Sequence, residues 1–254
     1  MLIKNLNLHI RRFEFKYLIE ERRLDKLRRS ISNFVEIDPF AKELKSNFYP
    51  VTSLYFDDLD FNSYYEKLAG LKLKRKFRLR VYGTKPTRRQ KAFMEIKRRD
   101  DAIVFKDRFV SNIENLKLIL NDGRYDLLPQ NDKVSNLFVH LVRRKGLRPV
   151  VLISYRREAY FDKDNSFFRL TIDQDLVARK NYDIDFDAST CNAVLPGLAV
   201  VEAKFNRIMP AWFGMIIKSY NLNRVSFSKY CFSLESCGIV SASERSSFPQ
   251  TWIY

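Results

Sequence analysis

Charged residues in this sequence recur two positions apart: Glu14 and Lys16, Arg78 and Arg80, Glu95 and Lys97, Lys106 and Arg108, Glu202 and Lys204. Tyr155 and Arg157 share that spacing, as do Arg169, Thr171 and Asp173. In an extended chain it puts the members of each set on one face. The residues of the opposite face, such as Val81, Ile96, Ile172 and Ala203, are apolar. A single strand of this kind is an ordinary solvated face. Repetition in strand after strand, with Glu and Lys mixed, suits a barrel with a polar lumen whose apolar outside is covered by helices. Lumen charges must be paired or await a ligand, because unpaired buried charge is expensive. Cations outnumber acids in these sets, so the expected ligand is a multivalent anion. Glu14, Glu95, Asp173 and Glu202 are the oxygen donors available to a hard cation. Arginine forks, ammonium groups and a cation around phosphates are what phosphoryl transfer needs, since positioning and charge neutralisation do most of its work.

Several elements must position these faces. Strands are expected over residues 12–19, 53–56, 74–82, 149–161, 167–176 and 199–205, with 93–99 and 102–110 as a hairpin turning at Arg99-Asp100-Asp101. From Lys76 the fourth segment alternates strictly, with Phe77, Leu79 and Val81 opposite Lys76, Arg78 and Arg80. Leu24, Leu27, Ile31 and Val35 recur at helical spacing. Further helices are expected over 63–68, 113–120, 133–144 and 211–220, the last opened by Pro210. The fold class is therefore α+β, an antiparallel β-barrel tunnel with flanking helices. One domain is expected over 1–238, followed by a Ser-rich tail, 239–254, expected to be disordered.

Composition narrows the chemistry. Lys and Arg number 46 against 30 acids, a formal net charge of +16, which predicts a polyanionic partner. The sole histidines, His9 and His140, supply neither a His-based zinc site nor a Ser-His-Asp hydrolase, and both read as structural. Cys191, Cys231 and Cys237 show no metal-type pairing, which suits a reducing compartment. No apolar run approaches the ~18 residues of a membrane-spanning helix, and the start lacks a signal-peptide core. A cytoplasmic protein is expected.

At these residues the chain resembles the VTC domain, the polyphosphate-polymerase domain of the vacuolar transporter chaperone complex, within the CYTH-like or triphosphate tunnel metalloenzyme superfamily. The matching pieces are RRFEFKYLI (11–19), SLYFDD (53–58), KFRLRVYG (76–83), FMEIKRR (93–99), SYRREAYF (154–161), RLTIDQDL (169–176), VVEAKF (200–205) and FSKY (227–230). Each is weak alone; all stand in the family's order, over about Arg11 to Leu234.

The resemblance implies a tunnel-shaped antiparallel barrel that builds polyphosphate from the γ-phosphate of ATP with a divalent metal, Mn2+ before Mg2+. It implies phosphate ligands at Lys16, Arg78, Arg80, Lys97, Arg157, Arg169, Lys204 and Lys229, to which Lys106 is added. It implies hydrogen-bonding neighbours at Tyr155 and Ser228, and a metal-binding carboxylate at Glu202. Relatives often carry a further lysine where Ser226 stands here, with Arg224 nearby. Lys72, Lys74, Arg88, Arg89 and Arg98 are expected outside, drawing a polyanion toward the tunnel mouth. The alternatives are a triphosphate or polyphosphate hydrolase of the same fold, or a non-catalytic polyphosphate-binding module. A nucleic-acid partner is not expected, since no recognised binding motif is present. Association with a membrane partner, product length and oligomeric state are left open.

Overall fold

The computed structural model describes residues 12–44, 47–83, 87–100, 103–129 and 132–241. His9, Arg11, the Asp101 end of the hairpin turn and the tail from residue 242 lie outside the described residues. The strands are β1 (Arg12–Glu20), β2 (Val35–Ile37), β3 (Tyr49–Asp57), β4 (Leu73–Tyr82), β5 (Lys91–Asp100), β6 (Ile103–Asn112), β7 (Arg148–Asp162), β8 (Arg169–Lys180), β9 (Asn192–Ala193) and β10 (Leu198–Asn206). The helices are α1 (Leu24–Ile31), α2 (Pro39–Glu43), α3 (Asn62–Leu68), α4 (Ile113–Asp122), α5 (Lys133–Lys145), α6 (Ala211–Ser219) and α7 (Lys229–Ser236).

The strands make one antiparallel sheet in the order β1-β10-β8-β7-β3-β4-β5-β6, with β2 on β7 and β9 on β8. The sheet rolls until β1 and β6, its two ends, bring Cα atoms within 8 Å of each other. Among the described residues no ladder joins them, so the tunnel is a rolled sheet with abutting lips rather than a fully closed barrel. The free edge of β1 is partly taken: Val225 N donates to the Lys16 carbonyl at 2.8 Å, and Tyr17 bridges Arg224.

The alternation read from the sequence holds. Outward residues of β3, β4, β5 and β7, including Leu54, Leu79, Met94 and Leu152, pack with Leu116, Ile119 and Phe138 of α4 and α5. Outward residues of β1, β8 and β10 pack under α1 and α6 around Phe168 and Phe213. Each such large side chain contributes roughly 2–3 kcal/mol on burial. A third cluster lies inside the roll, where Val51, Ile153 and Ala178 meet Tyr64 of α3 and Leu234 of α7.

A bulge in the β7–β8 ladder, between Ser154 and Arg156, leaves Asp175 at φ +49°. It shifts the parity of β8, so that Thr171 and Asp173 face inward before it and Leu176 and Ala178 after it.

The helical period does not reach Val35. Helix α1 stops at Ile31, and Val35 opens β2 against Asp162 of β7. Pro210 stands at the N-cap of α6. Helices α2 and α7, and strands β2 and β9, were not foreseen. The first turns of α7 carry Lys229, Tyr230 and Cys231, all buried, so no solvent-facing stripe marks the segment as amphipathic.

Candidate functional site

Three charge clusters line the inner face. The first is centred on Glu95 of β5, which is 1% exposed. Register places Arg78 of β4 opposite Glu95 on one side and Arg108 of β6 on the other. Arg78 Nη2 lies 2.7 Å from Glu95 Oε2, and Arg80 Nη1 lies 3.8 Å from it. Lys106 closes on Oε1. Burial would raise the Glu95 carboxyl, but Arg78, Arg80 and Lys106 hold it well below the usual carboxylate range. The arginines are held in turn. Arg78 Nη1 donates to Tyr55 Oη at 3.0 Å, and Arg80 donates to Ser53 Oγ and Tyr155 Oη, each at 3.1 Å. Burial would raise the Tyr55 phenol; Arg78 and Arg80 instead bring it down to about 8.

Asp173 of β8, also 1% exposed, centres the second cluster. Arg157 of β7 grips it as a fork, Nε to Oδ1 at 2.6 Å and Nη2 to Oδ2 at 2.7 Å. Lys229 Nζ reaches Oδ2 at 2.5 Å while lying 4.8 Å from the Tyr155 ring centre. Against burial, these two cations lower Asp173 to about 2.

One turn of helix brings opposite walls together. Ser228 caps α7 and accepts from Lys76 of β4 at 2.6 Å, Lys229 pairs across to β8, and Tyr230 stacks on Tyr55 of β3 at 5.4 Å. Tyr230 also donates to Asp57, whose other oxygen accepts from Ser63 N at the start of α3. Helix α7 is therefore anchored inside the roll with its N-terminus, the positive end of its dipole, among the lumen charges.

The third cluster spans β1 and β10. Glu202 Oε1 lies 3.0 Å from Lys204 Nζ, and Glu14 accepts from Lys97 of β5 at 2.5 Å. Lys16 pairs with Glu202 in register and donates to the Phe227 carbonyl at 3.0 Å. Burial pushes Lys16 down to about 8 and lowers Lys204; burial also pushes Lys106 of the first cluster down to about 8. Glu202 stays well below the usual range despite burial, because Lys204, Lys16 and Lys229 surround it.

Among the described residues no three His, Cys, Asp or Glu side chains converge to enclose a metal. Glu202 nevertheless faces Thr171 across the ladder, and Thr171 Oγ1 is buried without a partner. One carboxylate and one orphaned hydroxyl fit a hard cation that takes its remaining ligands from phosphate oxygens and water, as Mg2+ and Mn2+ do with nucleotides.

The strand residues expected as ligands thus share the inner face of the roll, which Ser228 and Lys229 reach from α7, with differences in role. Glu14, Glu95 and Asp173 are counter-ions to lumen cations. Arg169 lies toward the edge, where Asp38, the cap of α2, holds its Nη2 at 2.6 Å and its Nε has no partner. Lys74, expected outside, shares the inner parity of Lys76 and is half-buried. Arg98 does face outward, paired with Asp107 at 2.5 Å. Sequence reasoning passed over Ser53, Tyr55, Lys67 and Asp38; Lys76 was visible from its parity with Arg78.

The family model described as the VTC domain matches residues 11–237. No curated protein sequence matches the chain. Among solved structures, a Bacillus halodurans protein assigned by name as an adenylate cyclase is similar at 14% identity and TM-score 0.49, over 85% of this chain and 95% of that one. The PH1819 protein of Pyrococcus horikoshii is similar at 10% identity and TM-score 0.46, over 89% and 99% of the two chains. The Mimivirus capping enzyme triphosphatase is similar at 9% identity and TM-score 0.33, over 82% and 88%.

Proposed function

The chain belongs to the VTC domain family, and from that membership we propose that it extends inorganic polyphosphate with the γ-phosphoryl group of ATP, in the cytoplasm, along the basic inner face of the roll. The observation that carries the reading is the Arg78, Arg80 and Lys106 set around a single buried carboxylate, Glu95. One carboxylate cannot neutralise three cations, so the set retains charge for a multivalent anion.

A triphosphate on this face meets the Arg78 and Arg80 forks on one wall and Arg157, Lys204 and Lys229 on the other. Tyr155, already bonded to Arg80, is placed to donate to a phosphate oxygen. A terminal oxygen of the growing chain attacks the γ-phosphorus, the bond from that phosphorus to the bridging oxygen breaks, and ADP leaves with the electron pair. The nucleophile is already ionised, so no general base is required, in keeping with the absence of histidine from the site among the described residues. Glu202 and Thr171 would hold Mn2+ or Mg2+, which when bound neutralises charge on the phosphate oxygens. No membrane-crossing step is assigned: among the described residues no helix is long and apolar enough to span a bilayer. The three cysteines are free thiols, as suits a reducing compartment.

The test is incubation of the purified protein with ATP and Mn2+, with Glu202→Ala alongside and the products separated by chain length. A ladder of long chains from the wild type and none from the variant is expected. Free phosphate without chains would replace the polymerase by a hydrolase. Polyphosphate binding without turnover in either protein would leave a binding module.

A further inference from the structure

The inner face of the roll is graded along its length. Toward one end it is cationic: Lys76 stands opposite Lys97 across the β4–β5 ladder, and Lys97 opposite Lys106 across β5–β6. Toward the other end it turns aromatic. Tyr82 is the next inward residue of β4 after Arg80, one two-residue step or roughly 7 Å along the strand. Phe93 of β5 stands directly opposite Arg80, and Tyr49 of β3 directly opposite Arg157. Phe40 of α2 lies over two of these rings, its centre 5.0 Å from that of Tyr49 and 5.9 Å from that of Tyr82. Tyr82 in turn lies 5.7 Å from Phe93.

This group is not a sealed core. Phe56 and Phe138, under α5, also meet edge to face, and they are 1% and 0% exposed. Phe40 keeps 42% of its surface exposed, while Tyr82 and Phe93 are half-buried. The exposed Arg108 of β6 sets its guanidinium 5.4 Å from the Phe93 ring centre. Ring faces and a guanidinium plane thus stand open beside the arginine pair. A bare phosphate chain has no use for them. A nucleoside triphosphate is graded as the face is, with a polyanion at one end and a planar heterocycle at the other. Stacking on aromatic side chains and guanidinium planes is how proteins hold a base by its π-face.

We infer that Phe40, Tyr82 and Phe93, with the Arg108 guanidinium, form a stacking site for the base of a nucleoside triphosphate whose phosphates lie against Arg78, Arg80 and Arg157. The site fixes the nucleotide in one direction along the face, with its γ-phosphate toward the cationic end. This rests on the reading proposed above and deepens it, by adding residues that recognise the nucleoside to those that recognise phosphate.

The test is calorimetric titration of the full chain with ATP and with tripolyphosphate, with a chelator present so that no metal-dependent transfer consumes the nucleotide. Phe40→Leu and Phe93→Leu each remove a ring face and keep an apolar side chain. Thermal melting checks that each variant is folded, and because the two lie on separate elements, either one decides. Loss of a stacking face is expected to weaken ATP binding about tenfold and to leave tripolyphosphate binding unchanged. Phe93→Trp, which keeps a face, is expected to bind ATP as the wild type does. Equal ATP affinity in wild type and the folded leucine variants overturns the stacking site and leaves the phosphate reading standing. Equal losses for the two ligands overturn the site as well, since the rings would then only shape the wall. A wild type that binds neither ligand overturns the proposed function and the site with it.

Discussion

Lys229, the first residue of α7, ends 2.5 Å from the Asp173 carboxylate that Arg157 already grips from β7. One buried acid thus ties a central helix to the sheet while balancing two cations. Asp173→Asn leaves both cations without their counter-charge, and removing one partner of a buried pair costs on the order of 3 kcal/mol. Urea unfolding of the phosphate-free protein is expected to show a loss of that size. Tripolyphosphate should then raise the melting temperature of the variant more than that of wild type, because it supplies the missing charge. A variant as stable as wild type without ligand would show that Asp173 does not hold this arrangement.

Arg80 divides its guanidinium among Ser53, Tyr155 and the Glu95 carboxylate. A lysine offers a point charge in place of that planar fork. Arg80→Lys is expected to weaken tripolyphosphate binding by roughly 1–2 kcal/mol, close to tenfold. Isothermal titration on the folded variant measures it, and an unchanged Kd would remove Arg80 from the binding face.

Glu202→Gln keeps the shape of the side chain and removes its charge. Binding of Mn2+ in the presence of ATP, followed by electron paramagnetic resonance, is expected to weaken at least tenfold, while tripolyphosphate binding without metal should hold or tighten. Unaltered Mn2+ affinity would assign the cation to other oxygens.

The lysines give the protein a particular pH response. Burial depresses Lys67 to about 7 and Lys16 and Lys106 to about 8, from an ordinary value of 10.5. Tyr55 is also low, at about 8. Above those values the unfolded chain binds more protons than the folded one, so stability rises with pH. The phosphate-free protein should therefore gain stability between about pH 7 and pH 9. The extra stability conferred by tripolyphosphate should shrink over the same interval, since each lysine that loses its proton stops attracting phosphate. Urea titrations at constant ionic strength, with and without ligand, check both slopes, and a phosphate-free protein that loses stability across the interval contradicts the described burial.

The spacing of Glu14 with Lys16, Arg78 with Arg80 and Glu202 with Lys204 was legible because strand alternation is a local property of the chain. Which charge meets which was not. Glu95 gathers Arg78, Arg80 and Lys106, and Asp173 gathers Arg157 and Lys229, through strand registers and a helix placement that depend on contacts far apart in sequence. Helix α7 escaped for a related reason: buried inside the roll, it carries no amphipathic stripe. Lys67 belongs to a helix that the spacing did predict, yet its approach to Ser226 follows from how α3 docks. Motif order supplied the family, and the rolled sheet supplied the reason those motifs belong together.

The abutting lips of the sheet have a mechanical consequence. A closed barrel of fixed strand number widens only by breaking backbone ladders, whereas this roll is fastened across its lips by side chains, with Lys97 of β5 reaching Glu14 of β1. Glu14 is largely buried, and Lys97 is the foremost of the charges that bring its carboxyl down to about 2 against that burial. Parting the lips would break that side-chain pair but, among the described residues, no backbone ladder. Along that one line the wall of the bore is made of side chains, so a substitution at Glu14 or Lys97 alters the wall without removing a strand from the sheet.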